Sequence, residues 1–236
     1  MTWSIGWDVG GWNCDKNQNS RDAIVILDAN HEIVGTPWRG NLRESINICS
    51  TTAEWIAALF DLCGSGVSPE PSPATLAIDT PLGFSDAFIQ LATQSKAAAS
   101  IEASSTNPYL FRRTERFLFE QGLSPLSAIK DMIGSQATKG MHVLASYAPK
   151  VMESGVWGDG STLTAIEAYP SACKKSETIQ TLRWPYPALA HADCEDALTL
   201  CHSGQSVCGQ AGHPYATGGR HFPKRGLDMG APRRLC

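Results

Sequence analysis

Three apolar segments of this chain each run into an acidic residue, and that habit narrows the fold more than any other feature. "WSIGWDVGG", "ATLAIDTPLGF" and "STLTAIEAYP" read as strands, and they carry Asp8, Asp79 and Glu167. Side chains alternate between the faces of a strand. On the Asp8 face the neighbours are Ser4 and Gly6, and on the other face Ile5, Trp7 and Val9. Asp79 shares its face with Ala77, and Glu167 shares its own with Ala165. Each carboxylate therefore follows a small residue near the C-terminal end of its strand. In open α/β sheets that end is where ligands bind.

The remaining elements fit around these strands. "DAIVILD" reads as a second strand and "ANHEIVGTPW" turns into a third, which predicts an antiparallel meander from the first strand. "TTAEWIAALFDLC" has helical spacing, with Ser50 or Thr51 as cap and Gly64 as stop, and "SDAFIQLATQ" and "HADCEDALTLCH" are further helices. From about 107 to 150 the sequence turns helical and more basic. The order β-β-β-α-β-α-(helical insertion)-β-α predicts an α/β domain over 1–204, a mixed sheet flanked by helices. Strands one, four and five should be parallel, joined through helical crossovers. The stretch 205–236 is rich in Gly, Pro and Arg without apolar period and reads as coil.

Composition sets outer limits. The 236 residues suffice for one good core, and 42% hydrophobic with 18% charged residues suits a soluble protein. No apolar run is long enough to span a bilayer, and "MTWSIGW" lacks signal-peptide character, so a cytoplasmic protein is expected. A net charge of −4 leaves nucleic-acid binding to a local basic patch. The eight cysteines form no CxxC pair and are expected to be reduced thiols rather than zinc ligands.

A fourth acidic group lies on the last helix, where Asp193 and Asp196 are three residues apart and share one face. If that helix crosses the strand ends, these aspartates converge with Asp8 and Asp79. Clustered carboxylates repel, and burying them unpaired is costly. Mg²⁺ or Mn²⁺, which favours carboxylate oxygens and water, resolves the conflict. Two such ions about 4 Å apart can clamp the attacking and leaving oxygens of a phosphodiester. Asp8, Asp79 and Asp196 are the expected metal ligands, with Asp193 and Glu167 as further catalytic candidates. Each also has a plainer reading as a turn residue, a helix cap or a bond to nearby backbone.

The insertion supplies the candidates for holding phosphates. Arg112, Arg113 and Arg116 fall within about one helical turn. Lys130, Ser135, Gln136 and Lys139 follow, the last three within "IGSQATKGM", and Tyr109 and Phe111 suit base stacking. A solvated helix face paired with Glu115, Glu120 and Asp131 is the alternative for the basic cluster. His142 and His191 are candidate proton shuttles or simply surface histidines.

The succession of DxGG, "AIDTPLGF", "EAYPSA" and "HADCEDAL", with "NPYLFRRTER" between, resembles the ribonuclease H-like superfamily. More narrowly, it is similar to domain-of-unknown-function family 429, prokaryotic predicted RNase H-like nucleases, over roughly Trp3 to Ser203. The resemblance implies a five-stranded mixed sheet with metal-bound carboxylates. Asp8 matches the first-strand aspartate, and Asp79 the fourth-strand acid. Asp193 and Asp196 match the DxxD spacing at the final helix of Holliday-junction resolvase relatives. The implied activity is metal-dependent nuclease, with DNA, RNA or a phosphorylated small molecule as partner and no membrane. An actin-like phosphotransferase, which shares DxG, and a non-catalytic nucleic-acid-binding module on the same fold stay open.

Overall fold

The computed structural model describes residues 2–67, 72–101 and 103–209. Its framework begins with β1 (Trp3–Asp8) and β2 (Asp22–Leu27), whose apolar residues are almost wholly buried. A short β3 (Trp38–Gly40) completes an antiparallel meander. Of "ANHEIVGTPW", Trp38 opens β3, whereas Ile33 contributes only an isolated bridge with Leu27. Helices α1 (Arg43–Ile48) and α2 (Thr52–Leu62) lead to β4 (Ala74–Asp79), which pairs parallel with β1. Thr51 caps α2 by accepting from the Glu54 N–H, and Gly64 leaves the helix at φ +58°. Ser85 caps α3 (Asp86–Gln94) in the same way.

The chain then forms α4 (Arg113–Glu120), α5 (Asp131–Tyr147), a hairpin of β5 (Lys150–Glu153) and β6 (Val156–Gly158), and β7 (Leu163–Glu167). Short helices α6 (Pro170–Cys173) and α7 (Glu177–Arg183) precede the long α8 (Ala192–Gly209). The sheet order is β3-β2-β1-β4-β7-β6-β5, with β1, β4 and β7 parallel. The protein is thus α/β with a mixed sheet flanked by helices.

The sheet has seven strands where five were expected. The two extra ones are short, and β5 is exposed throughout, so neither carries an apolar alternation to betray it; Gly155 turns the hairpin at φ +77°. Nor is the basic insertion peripheral. Val143, Leu144 and Tyr147 of α5 join the main core with Trp55 and Phe60 of α2 and Trp3, Ile5, Trp7, Leu76 and Ile78 of the sheet. Tyr147 stacks on Trp55 with ring centroids 5.1 Å apart. Each fully buried side chain of this kind contributes roughly 1.5–3 kcal/mol.

The opposite face is covered by α8. Cys194, Ala197, Leu198 and Cys201 pack on Ala23, Val25 and Leu27, and Leu200 on Ala77 and Ile166. This packing explains the small residues that precede Asp8 and Asp79, whereas Ala165, before Glu167, lies in the main core on the other face. A Cβ on Gly6 would sit 1.8 Å from the Ala197 carbonyl oxygen, so only glycine lets α8 lie this close to β1. The Ser4 hydroxyl donates to Cys201 O at 2.5 Å, fixing the same approach. The last helix runs past 204, the expected end of the domain, and Gly204 lies within it. This glycine faces Ser4 and Thr75, where a Cβ would stand 3.1 Å from each side chain, and α8 continues to Gly209. The rest of the presumed coil, 210–236, lies outside the described residues. Cys14, Cys49, Cys63, Cys173, Cys194 and Cys201 are free thiols. Among the described residues no helix is long and apolar enough to cross a membrane.

Candidate functional site

Two of the predicted acids meet because of strand register. β1 and β4 are parallel neighbours in which Asp8 is the partner of Asp79, so both carboxyls leave the same face at the same end of the sheet. Among the described residues neither makes a hydrogen bond or an ion pair. Both are partly buried. Burial pushes the Asp8 carboxyl up to about 9, reinforced by the negative fields of Asp79, Asp193, Asp196 and Asp22. Burial and then Asp196 push Asp79 up to about 7, while the Lys174 ammonium opposes the rise.

The N-terminal turns of α8 bring the other two aspartates. Asp8 lies where two clefts meet. One, of about 280 Å³, is lined by Asp8, Arg21, Gln136 and Asp193, among others. The other, of about 400 Å³, is lined by Asp8, Asp79, Thr80, Gln136, Tyr169 and Asp196, among others. Both helix aspartates are already paired. Asp193 accepts from Arg39 Nε at 2.7 Å and lies 3.2 Å from His191 Nδ1, and Asp196 is paired with Lys174. His191 also accepts from the Asp193 N–H, a capping contact at the start of α8.

Glu167 belongs elsewhere. Its register partner on β4 is Ile78, and Ile166 pairs with Ala77, so its side chain leaves the face opposite to Asp8 and Asp79. There it accepts from Arg112 at 2.5 and 3.0 Å and from the Leu82 N–H at 2.9 Å. Burial opposes its charge, yet Arg112 and these hydrogen bonds hold the carboxyl below its ordinary range. Alternation within β7 was read correctly, but the register between strands decides which face is shared.

The same network removes Arg112 from the phosphate-binding candidates. Its side chain is 3% exposed and is held by Glu115, Glu167 and the Tyr169 hydroxyl. Lys139 is likewise withdrawn. It is fully buried, bonded to Asp22 at 2.7 Å and to Gly11 O at 3.0 Å. Arg113 and Lys130 are exposed, and Arg116 is half-buried with an unpartnered Nε, but none of the three lines either cleft. Ser135 accepts from the Trp12 N–H at 2.8 Å and so anchors the loop after β1. Gln136 alone of the basic and polar candidates lines both clefts, and it donates to Val9 O at 2.6 Å. His142 is exposed and packs edge-on against Trp12.

Several residues escaped the sequence reading. Asp22 accepts from Trp7 Nε1, the Gly10 N–H, the Leu42 N–H and Lys139, and thereby fixes the glycine turn beside Asp8. Its position opening an apolar strand, like that of Asp8 closing one, was the available signal. Thr80 follows Asp79 in "AIDTP"; its hydroxyl is buried without a partner, and the residue lines the larger cleft. Arg21, Arg39 and Lys174 are cations at or beside the acids, and no local pattern distinguishes them.

A divalent cation suits this arrangement in one respect and meets an obstacle in another. Two adjacent, partly buried carboxyls without a cationic partner, next to an orphaned hydroxyl, are oxygen donors of the kind Mg²⁺ and Mn²⁺ take. Among the described residues, however, no three His, Cys, Asp or Glu side chains are gathered closely enough to hold an ion. The third donor would be Asp193 or Asp196, each now turned to a basic residue. No protein-family model, no curated protein and no solved structure matches this chain.

Proposed function

We propose that the protein is a metal-dependent nuclease on an RNase H-like sheet, hydrolysing phosphodiester bonds of DNA or RNA, or of a smaller phosphorylated substrate. The observation that carries the reading is the pairing of Asp8 with Asp79 at the carboxyl ends of adjacent parallel strands. The order β3-β2-β1-β4-β7, a meander followed by two parallel strands, supports it, with the β5–β6 hairpin added at the β7 edge.

Asp8 and Asp79, joined by an α8 aspartate, would hold Mg²⁺ or Mn²⁺. The bound ion would supply an acidified water and neutralise charge on the phosphate. The protein's own part is positional. Asp22 and Lys139 clamp the Gly10–Gly11 turn, Gln136 lines both clefts, Thr80 lines the larger and Arg21 the smaller. Glu167 and Arg112 brace the larger cleft from behind, through the Leu82 N–H and the hydroxyl of Tyr169, which lines it.

The test is cleavage of labelled single-stranded, duplex, hybrid and branched substrates in Mn²⁺ and in EDTA. Metal-dependent cutting that disappears in Asp8→Asn is the expected result. Unchanged cutting by a folded Asp8→Asn protein would refute the assignment. Mn²⁺ binding without cutting of any polymer would redirect it to a small phosphorylated substrate or to a binding role.

A further inference from the structure

The four acids of the clefts differ in what neutralises them. Asp8 and Asp79 have no cationic partner among the described residues. Asp193 is held by Arg39, whose guanidinium also donates to Gln18 O at 2.9 Å, and both side chains of this pair are about one-fifth exposed. Asp196 is held, among the described residues, by Lys174, and that lysine side chain is 53% exposed. The same ammonium also acts electrostatically on Asp79. The carboxylate that this exposed cation pairs with shares a cleft with Asp8 and Asp79.

Resting on the metal reading above, we infer that Lys174 is a resident counter-cation, a tethered ammonium that occupies Asp196 until a divalent cation displaces it. Asp196, not Asp193, is then the third acid of the metal site. The physical contrast between the two pairs decides this. An exposed lysine pair gives little net stabilisation, because the long side chain loses rotamer freedom and water screens the charge. Arg39 is anchored at a second point and is less exposed, so Asp193 is the harder of the two to release. A divalent ion that joins Asp8, Asp79 and Asp196 brings twice the charge of the ammonium it replaces.

The experiment is Mn²⁺ titration of the metal-free full-length chain, read by calorimetry or by the free-ion electron-spin signal. Lys174→Gln should bind Mn²⁺ about 5- to 30-fold more tightly than wild type, by removing a competitor and a like charge. Adding Asp196→Asn should cancel that gain. Arg39→Gln should stay within about twofold of wild type. A Lys174→Gln affinity unchanged or weaker, or an equal gain in Arg39→Gln, overturns the inference. If wild type binds Mn²⁺ through Asp8 while Lys174→Gln changes nothing, only the role of Lys174 fails. If neither protein binds Mn²⁺ saturably, the metal reading fails with it.

Discussion

Two kinds of buried charge lie within this molecule, and they are built on opposite terms. In the Arg112–Glu115–Glu167–Tyr169 network and in the Asp22–Lys139 pair, every charged group meets its opposite and the remaining donors find acceptors. At the strand ends, Asp8 and Asp79 stand side by side with neither. A satisfied network rigidifies a fold, whereas an unsatisfied one costs stability and persists where a ligand completes it. The comparison separates scaffold from site more sharply than residue type does, since all these groups are ordinary acids and bases.

The largest effect should come from breaking the satisfied side. Arg112→Met leaves two carboxylates buried without a cation, and Lys139→Met leaves one. Each should cost about 3–5 kcal/mol or more in denaturant unfolding. A loss under about 1 kcal/mol would show that these networks are not the scaffold. Next comes the packing that brings α8 to the strands. Gly6→Ala drives a methyl group into the Ala197 carbonyl, and should cost about 1–3 kcal/mol and loosen both helix aspartates from the cleft.

The unsatisfied side should respond with the opposite sign. In metal-free protein, Asp8→Asn removes a carboxyl that folding must neutralise, and should raise stability at neutral pH by about 1–4 kcal/mol; on the proposed function it should also abolish Mn²⁺ binding. The pH dependence follows from the raised values. Asp8 and Asp79 shift from 3.8 to about 9 and about 7, so both favour folding below pH 4. That contribution declines as pH climbs above 4 and is fully lost once pH has passed through about 7 for Asp79 and about 9 for Asp8. Thermal unfolding of metal-free wild type from pH 4 to 9 should show this fall, and Asp8→Asn should flatten it. A stability that rises over that window in proportion to Asp8 would contradict the shift. The smallest effect is Thr80→Val, which exchanges an unpartnered hydroxyl for a methyl of equal shape. It should change stability by less than about 1 kcal/mol and, on the proposed function, raise the KM for cleavage.

The resemblance quoted for the chain and the strand pattern led to Asp8, Asp79 and the helix pair, and these four do gather at one end of the sheet. The phosphate-binding set fared differently. A run such as "FRRTER" exposes its charge content but not its partners, and Arg112 is spent on acids 3 and 55 residues away. Lys139 is spent on an aspartate 117 residues away. Arg21, which lines the smaller cleft, stands alone in its segment, and Lys174, paired with Asp196, belongs only to the pair Lys174–Lys175.

What the sequence determined by itself was local. Period-two alternation set the faces of β1, β4 and β7, capping residues set where α2 and α3 begin, and small residues on the Asp8 face recorded a close neighbour. Tertiary structure decided what depends on two segments at once. Register put Asp79 beside Asp8 and turned Glu167 to the other face, because one residue of offset between parallel strands reverses the side of a chain's whole pattern. It likewise decided which cation neutralises which acid. Coulomb attraction and desolvation act through space, and partners such as Arg112 and Glu167 or Lys139 and Asp22 lie 55 and 117 residues apart in the chain.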